Sequence, residues 1–375
     1  MSENTKTAKV TPLHGSDFGP TRVTSERYIS DNFLEREMAG IFRRGWLAAC
    51  PAHKLNRKGS YFVFDEVGES VIVVRDRYGV IRAFHNSCRH RGARLIDGHG
   101  KTQKINCPYH DWSYDIDGQL CSVPRASGFD ELDTANLNLK PVRCELLMGF
   151  VWITFDADAP PLRESLAGIV EELTPYRLEE MRAVQMVDQI LPCNWKVMLE
   201  NAMDFYHVAA VHSKTVSKHI EMVPDFKSYG DHSRQRLGIA DYNWRRHLDR
   251  RCSRGGPYSE QQTSDLHKYL IFPNFLINVL PYHLTVMQPF PISADTCRLR
   301  YAFFRRKGAR GLELARVLGT WAASRYILKE DIDIITRFQQ GVSTGRVTEQ
   351  YFHAEEGAGA HFHGVINRWL SEART

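Results

Sequence analysis

The chain has 375 residues, 43% of them hydrophobic and 25% charged, with a formal net charge of +5. This length holds two domains, or one large one with a sizeable core. The charge is too modest to demand a nucleic acid, no recognition motif for one is present, and no apolar run approaches membrane-spanning length.

Residues 1–19 are polar and lack the apolar core of a secretory signal, so they read as a flexible arm and the expected location is cytoplasmic. Residues 20–45 hold one helix: Ser30 can cap it, Asp31 opens it, and Phe33, Leu34, Met38, Ile41 and Phe42 share a face. Residues 46–155 are β-rich, with strands predicted at Tyr61–Val67, Val71–Asp76, Val80–Phe84 and Phe150–Phe155. Asp156–Pro161, with its paired acids, alanines and prolines, reads as a linker, and a second domain spans 156–375. Within it, Leu166–Tyr176 predicts a short helix and Leu191–Thr215 a helical stretch. Residues 228–265 are polar and basic, and read as a long surface or lid-like segment. Leu270–Leu284 and Thr296–Arg305 read as strands, and Leu312–Gly341 as a long amphipathic helix.

Two constellations carry chemistry. Cys88-Arg89-His90 and Cys107-Pro108-Tyr109-His110 place two thiols and two imidazoles as C-x-H and C-x2-H, sixteen residues apart. Zinc fingers usually pair ligands by type, whereas here each loop supplies one of each. Two such loops can clamp a Rieske [2Fe–2S] cluster, in which cysteines hold one iron and histidines the other. A structural zinc is the competing occupant. The other six cysteines, Cys50, Cys121, Cys144, Cys193, Cys252 and Cys297, show no paired spacing and are expected to be reduced.

The second constellation is Asn201, Asp204, His207 and His212, all within three turns of the helical stretch. Residues five apart lie about 140° apart on an ideal helix. The two histidines can therefore meet at one metal only if the helix is distorted, for instance by a π-type bulge. A facial triad needs a carboxylate as well. Asp331, set among isoleucines and leucine in the long C-terminal helix, is the best candidate, with Glu330 and Asp333 as rivals. His361 and His363 look like a metal pair but have no third partner in sequence, and read as non-ligands. The run from Arg245 to Arg254 reads as a solvated or partner-docking surface; the sharper alternative is that one arginine reaches a substrate carboxylate.

CRHRGARL (88–95) with CPYHDWSYDIDGQL (107–120) resembles the Rieske signature of the ring-hydroxylating, or Rieske non-heme iron, oxygenases. Asn201 to His212 resembles that family's N-x2-D-x2-H-x4-H motif, and Glu330-Asp331 its ED motif. Family members commonly carry Gly where this chain has Asp111. The resemblance implies a [2Fe–2S] cluster on Cys88, His90, Cys107 and His110, and a mononuclear non-heme Fe(II) on His207, His212 and Asp331. It implies that Asp204 bridges His207 of one subunit to His110 of its neighbour in a head-to-tail homotrimer, with Asn201 close behind the ligands. Phe205, Phe275 and Asn278 are implied to line the substrate cavity.

The implied fold is α+β: a β-rich Rieske domain inserted in a helix-grip catalytic domain of the START/Bet v 1 type, whose antiparallel sheet is covered by helices. The implied activity is that of a terminal oxygenase using O2 and electrons from NAD(P)H, delivered through a reductase, with or without a ferredoxin between them and with or without a beta subunit. A small aromatic acid is the favoured substrate, to be hydroxylated or dihydroxylated. The alternative is oxidative demethylation or monooxygenation of a methylated (quaternary) amine or methoxy compound. The different-class alternative is a non-catalytic zinc or electron-transfer protein.

Overall fold

The computed structural model describes residues 18–166, 168–239, 244–253, 258–259, 262–263 and 265–372. The chain opens with β1 (Arg22–Thr24) and α1 (Asp31–Glu37), and α1 runs on as a π-type turn through Phe42. The predicted cap is real: Ser30 Oγ accepts from the backbone N–H of Phe33 at 3.2 Å.

The β-rich part contains β2 (Leu47–Pro51), β3 (Ser60–Glu66), β4 (Glu69–Arg75), β5 (Ile81–His85), β6 (His99–Lys101), β7 (Lys104–Asn106), β8 (Ser113–Asp115), β9 (Leu120–Ser122), β10 (Pro141–Leu147) and β11 (Phe150–Thr154). Seven of these form an antiparallel sheet in the order β2-β11-β10-β5-β4-β3-β6, while β7-β8-β9 make a separate small sheet. The four predicted strands of this part are β3, β4, β5 and β11.

Short helices α2 (Leu162–Ser165) and α3 (Ile169–Leu173) lead into β12 (Met181–Leu191), α4 (Trp195–Met203) and α5 (Val208–Val211). Then come β13 (Ile220–Tyr229), β14 (His232–Ile239), α6 (Trp244–Cys252), β15 (Asp265–Ile271), β16 (Phe275–Leu280), β17 (His283–Ser293) and β18 (Thr296–Arg306). The chain closes with α7 (Gly311–Ser343), β19 (Glu349–Tyr351) and α8 (Gly357–Glu372). A second antiparallel sheet runs β12-β18-β17-β16-β15-β14-β13. β1 pairs with β19, so the first strand joins the last.

Three expectations need correction. The stretch 228–265 is not a surface lid: most of its described part forms the end of β13, β14 and α6. Leu270–Leu284 is not one strand but parts of three, because Pro273 and Pro281 lack the N–H a ladder needs and fall in the connections. Leu191–Thr215 is not one distorted helix. β12 ends at Leu191, Asn194 caps α4 through its Oδ1 and the N–H of Lys196 (3.0 Å), and the helix stops at Asp204, which is extended (φ −80°, ψ 136°).

Helix α4 is held as a core element. Trp195, Met198 and Leu199 have no exposed surface. Between them Lys196 is equally buried and pairs with Glu37 of α1 at 2.9 Å. Glu37 also accepts from the Trp195 indole at 2.9 Å. Among the described residues, no helix is long and apolar enough to cross a membrane. All eight cysteines are free.

Because the Glu37–Lys196 pair is fully buried, removing one partner strands a charge in the core. Glu37→Ala is expected to cost about 3–5 kcal/mol, read from denaturant unfolding; a change within 0.5 kcal/mol, the ordinary range for a surface substitution, would contradict the pair's anchoring of α4.

Candidate metal centres

The loop after β5 carries Cys88 and His90, and the tight loop between β7 and β8 carries Cys107 and His110. Each loop is closed by its own backbone. The Cys88 N–H donates to Ala93 at 2.8 Å, and Gly92, with positive φ, returns to the Cys88 carbonyl at 2.9 Å. The Cys107 N–H donates to Trp112 at 2.7 Å, and Asp111 returns to the Cys107 carbonyl at 3.0 Å. Asp111 sits at φ +57°, where glycine is at ease and aspartate is tolerated. The departure from the family pattern therefore preserves the loop.

The loops bring the imidazoles of His90 and His110 to 4.7 Å between ring centroids, and His90 stacks on Trp112 at 4.9 Å. His90 Nδ1 is buried with no hydrogen-bond partner. Burial raises the Cys88 thiol above its ordinary pKa, and Cys107 beside it adds to this against the pull of Tyr114. A metal charge is what would make such a thiol a thiolate. These donors fit a cluster. Sequence reasoning gave Tyr114 no role of its own, but its hydroxyl lies 3.3 Å from Cys88 Sγ and accepts the Arg89 N–H at 2.9 Å. Hydrogen bonds of this kind tune cluster potentials.

The second centre uses the break between α4 and α5. His207 precedes α5, His212 follows it, and Asp331 faces both from α7. One donor atom from each lies within 4.8 Å of the others. Asp331 Oδ1 is 3.0 Å from His212 Nε2 and 3.7 Å from His207 Nε2. The outer nitrogens are held by carboxylates: His207 Nδ1 by Asp204 Oδ2 at 3.0 Å, and His212 Nδ1 by Glu330 Oε2 at 2.8 Å. Since a carboxylate only accepts, both Nδ1 atoms carry the proton and both Nε2 atoms turn inward. Asn201 donates to Asp331 Oδ1 at 2.8 Å. Thr215 donates to Glu330 Oε2 at 2.8 Å. Burial lowers the His212 pKa, but Asp331 and Glu330 outweigh it and hold the imidazole above its ordinary value. Of the rival ligands, Glu330 orients His212 instead, and Asp333 is exposed. A buried carboxylate facing two imidazoles fits a divalent metal.

A cavity of 610 Å³ opens beside these three residues. Phe205 and Asn278 line it. Phe275 does not: its ring packs against Phe150 and Trp152 at 5.0 and 4.9 Å. Alternate residues of β16 face opposite ways, so Phe275, Ile277 and Val279 share one core cluster while Asn278 turns to the cavity. Among the described residues, the arginine at the cavity comes from α7 and not from the basic run: Arg316 is engaged by Asp249 of α6 at 2.7 Å. The side chains of Arg245, Arg246 and Arg254 lie outside the described residues, and His247 and Arg251 are exposed. His361 and His363 are structural: His363 Nε2 meets Glu200 at 2.9 Å, and His361 Nε2 meets the Gly230 carbonyl at 3.1 Å.

Fold and site together define an oxygenase that carries a Rieske cluster and a mononuclear iron. The profile of the Rieske [2Fe-2S] domain matches residues 45–137, and that of the ring hydroxylating alpha subunit (catalytic domain) matches 173–372. The chain belongs to this family of ring-hydroxylating alpha subunits. It is 25% identical over 352 residues to the carnitine monooxygenase oxygenase subunit of Escherichia coli (strain K12), covering 91% of this chain and 90% of that one. It is 33% identical over 186 residues to the glycine betaine monooxygenase oxygenase subunit of Chromohalobacter salexigens, covering 49% and 42%. A crystal structure of a quaternary ammonium Rieske monooxygenase with L-carnitine has a TM-score of 0.79 at 22% identity, covering 96% of this chain and 99% of that one. Naphthalene 1,2-dioxygenase from Rhodococcus sp. scores 0.76 at 20% identity, covering 93% and 94%. At such identities the structural likeness speaks for the fold. The protein is the terminal oxygenase component of a Rieske system, with a [2Fe–2S] cluster in one domain, mononuclear iron in the other, and electrons supplied by a reductase.

Two substitutions separate the roles at the second centre. Asp331→Ala is expected to lose mononuclear iron while the visible absorption of the cluster survives; full iron content would move the ligand elsewhere. Glu330→Ala is expected to weaken iron binding about 10- to 100-fold, measured by chelator competition, and unchanged affinity would remove Glu330 from the site.

Proposed function

We propose that this chain inserts one oxygen atom into a small methylated amine of the quaternary class, at an N-methyl group or an adjacent carbon. The observation that carries this reading is its near full-length relationship to a carnitine monooxygenase subunit. The partial match to a glycine betaine monooxygenase subunit supports it. The first expectation, an aromatic acid, has less support. It leaned on the basic run and on the family's habits, and neither Arg250 nor Arg251, the run's described arginine side chains, lines the cavity.

In this reading Cys88, His90, Cys107 and His110 hold the cluster, and His207, His212 and Asp331 hold the iron. When bound, the iron offers open positions for O2 and substrate, and the cluster delivers electrons singly. The chain's own residues prepare this. Glu330 and Asp204 fix the tautomers of the two histidines, and Asn201 fixes one oxygen of Asp331. Apolar walls from Val208, Ile327 and Leu328 limit water beside the ligands. A recess of 210 Å³, lined by Asp204, Glu200 and Glu356, lies on the far side of His207. In a head-to-tail trimer this recess receives the neighbouring copy's cluster loop, so that Asp204 links that copy's His110 to His207. The cluster domain spans 46–155, inserted between 20–45 and 156–375.

Asp204→Asn is expected to leave both metals bound but to cut reductase-driven turnover at least tenfold; normal turnover would remove the bridge. Carnitine, glycine betaine and choline should be compared with aromatic acids by substrate-dependent NAD(P)H consumption and product mass. The reading expects turnover of at least one amine with a gain of one oxygen atom. Turnover confined to aromatic acids would overturn it.

A further inference from the structure

Three cross-strand neighbours put a single polar rung on the cavity wall. Lys268 of β15 pairs in register with Asn278 of β16, and Asn278 with Thr285 of β17. All three line the cavity, and His283 lies two residues along the same face of β17. One flanking rung, Leu270, Leu276 and Met287, is apolar, while the other sets His283 opposite Leu280. A polar rung inside an otherwise apolar wall is expensive unless something satisfies it.

Part of that rung is unsatisfied. Asn278 Oδ1 and the buried His283 Nδ1 have no hydrogen-bond partner among the described residues; the amide oxygen is an acceptor, so Asn278 would meet an anion through its amide N–H groups. Lys268 has three N–H donors, of which one reaches the Ala202 carbonyl at 2.7 Å, and its ammonium lies 5.1 Å above the Phe205 ring. That second contact also takes the ring a cationic substrate group would otherwise use. Arg316, by contrast, is already matched by Asp249 at two hydrogen bonds of 2.7 and 3.2 Å.

Charge points the same way. Burial lowers the Lys268 ammonium to about 8, against the smaller pull of Asp331 and Asp204. A divalent ion held by two neutral imidazoles and Asp331 consumes the negative charge of that carboxylate and leaves a net positive site. A positive centre disfavours the charged form of Lys268 further, and an anion lying between the two restores it.

We propose that Lys268, with Asn278 and Thr285, binds an anionic end group of the substrate, so that the enzyme takes small carboxylates and discriminates against bare cations. With the amine reading of the preceding section, on which this step rests only for the choice of probes, the substrate is a zwitterion: a methylated ammonium at one end and a carboxylate at the other. Lys268 is a specificity-determining residue in this arrangement.

The test is anaerobic calorimetry on the iron-loaded holoenzyme with matched probes: carnitine and glycine betaine against choline, and benzoate against benzyl alcohol. At least one carboxylate is expected to bind tenfold or more tightly than its uncharged or cationic counterpart. Lys268→Met should abolish that preference with cluster absorption retained, and Lys268→Arg should restore part of it. Since Lys268 also holds Ala202, Asn278→Leu provides a variant remote from α4, expected to weaken carboxylate binding several-fold with full iron content. Choline binding as well as glycine betaine, a preference that survives Lys268→Met, or no carboxylate binding at all would overturn the proposal. Tight benzoate binding without amine binding would overturn the amine reading and leave the anion site standing.

Discussion

Asp331 is a carboxylate with only 7% of its surface exposed, and the molecule is arranged around what that carboxylate needs. One amide from Asn201 donates to it, and the inner nitrogens of two imidazoles face it at 3.0 and 3.7 Å without supplying a fixed positive charge. A divalent ion does supply one. To bring the histidines to that ion, α4 must end early, and Asp204 ends it by taking an extended conformation. To bring the carboxylate, α7 must run 33 residues across the sheet from Gly311 to Ser343. The largely buried α4, clamped to α1 by Glu37 and Lys196, keeps the break in place.

The two imidazoles are treated alike at their inner nitrogens and differently at their outer ones. His212 leans on Glu330, which belongs to the same helix as the carboxylate ligand and is tied by Thr215. His207 leans on Asp204, which also borders a surface recess. One outer contact is internal and positional. The other opens outward, which is what a route for an electron from a second copy requires. In the proposed trimer the electron would enter through this recess and the substrate through the separate cavity.

Much of this was legible in the sequence, for a physical reason. Metal ligands must be particular residue types at particular reach, so Cys88, His90, Cys107, His110, His207 and His212 stood out by type and spacing, whereas Asp331 was set apart from Glu330 and Asp333 by resemblance to the family's ED motif. What was illegible depended on tertiary placement. Spacing alone suggested a bulged helix between His207 and His212, because a chain break and a bulge both bring such residues together. β14 hid its strand character, since Arg234 and Arg236 are charged yet stabilised by Asp225 of β13 at 2.7 and 2.9 Å. The alternation of β16 separated two faces, but only packing tells which one meets the cavity, and Phe275 was placed on the wrong one. The polar rung of Lys268, Asn278 and Thr285 spans three strands and leaves no contiguous trace in the sequence.

The central claim is that the cluster feeds electrons to the site built by His207, His212 and Asp331. Its most direct test is reoxidation of the reduced cluster by O2 with substrate present, followed by visible absorbance, comparing protein whose second centre holds iron with protein in which zinc replaces it. The account predicts fast cluster reoxidation only with iron in the second centre. Equal rates in the two samples would contradict it.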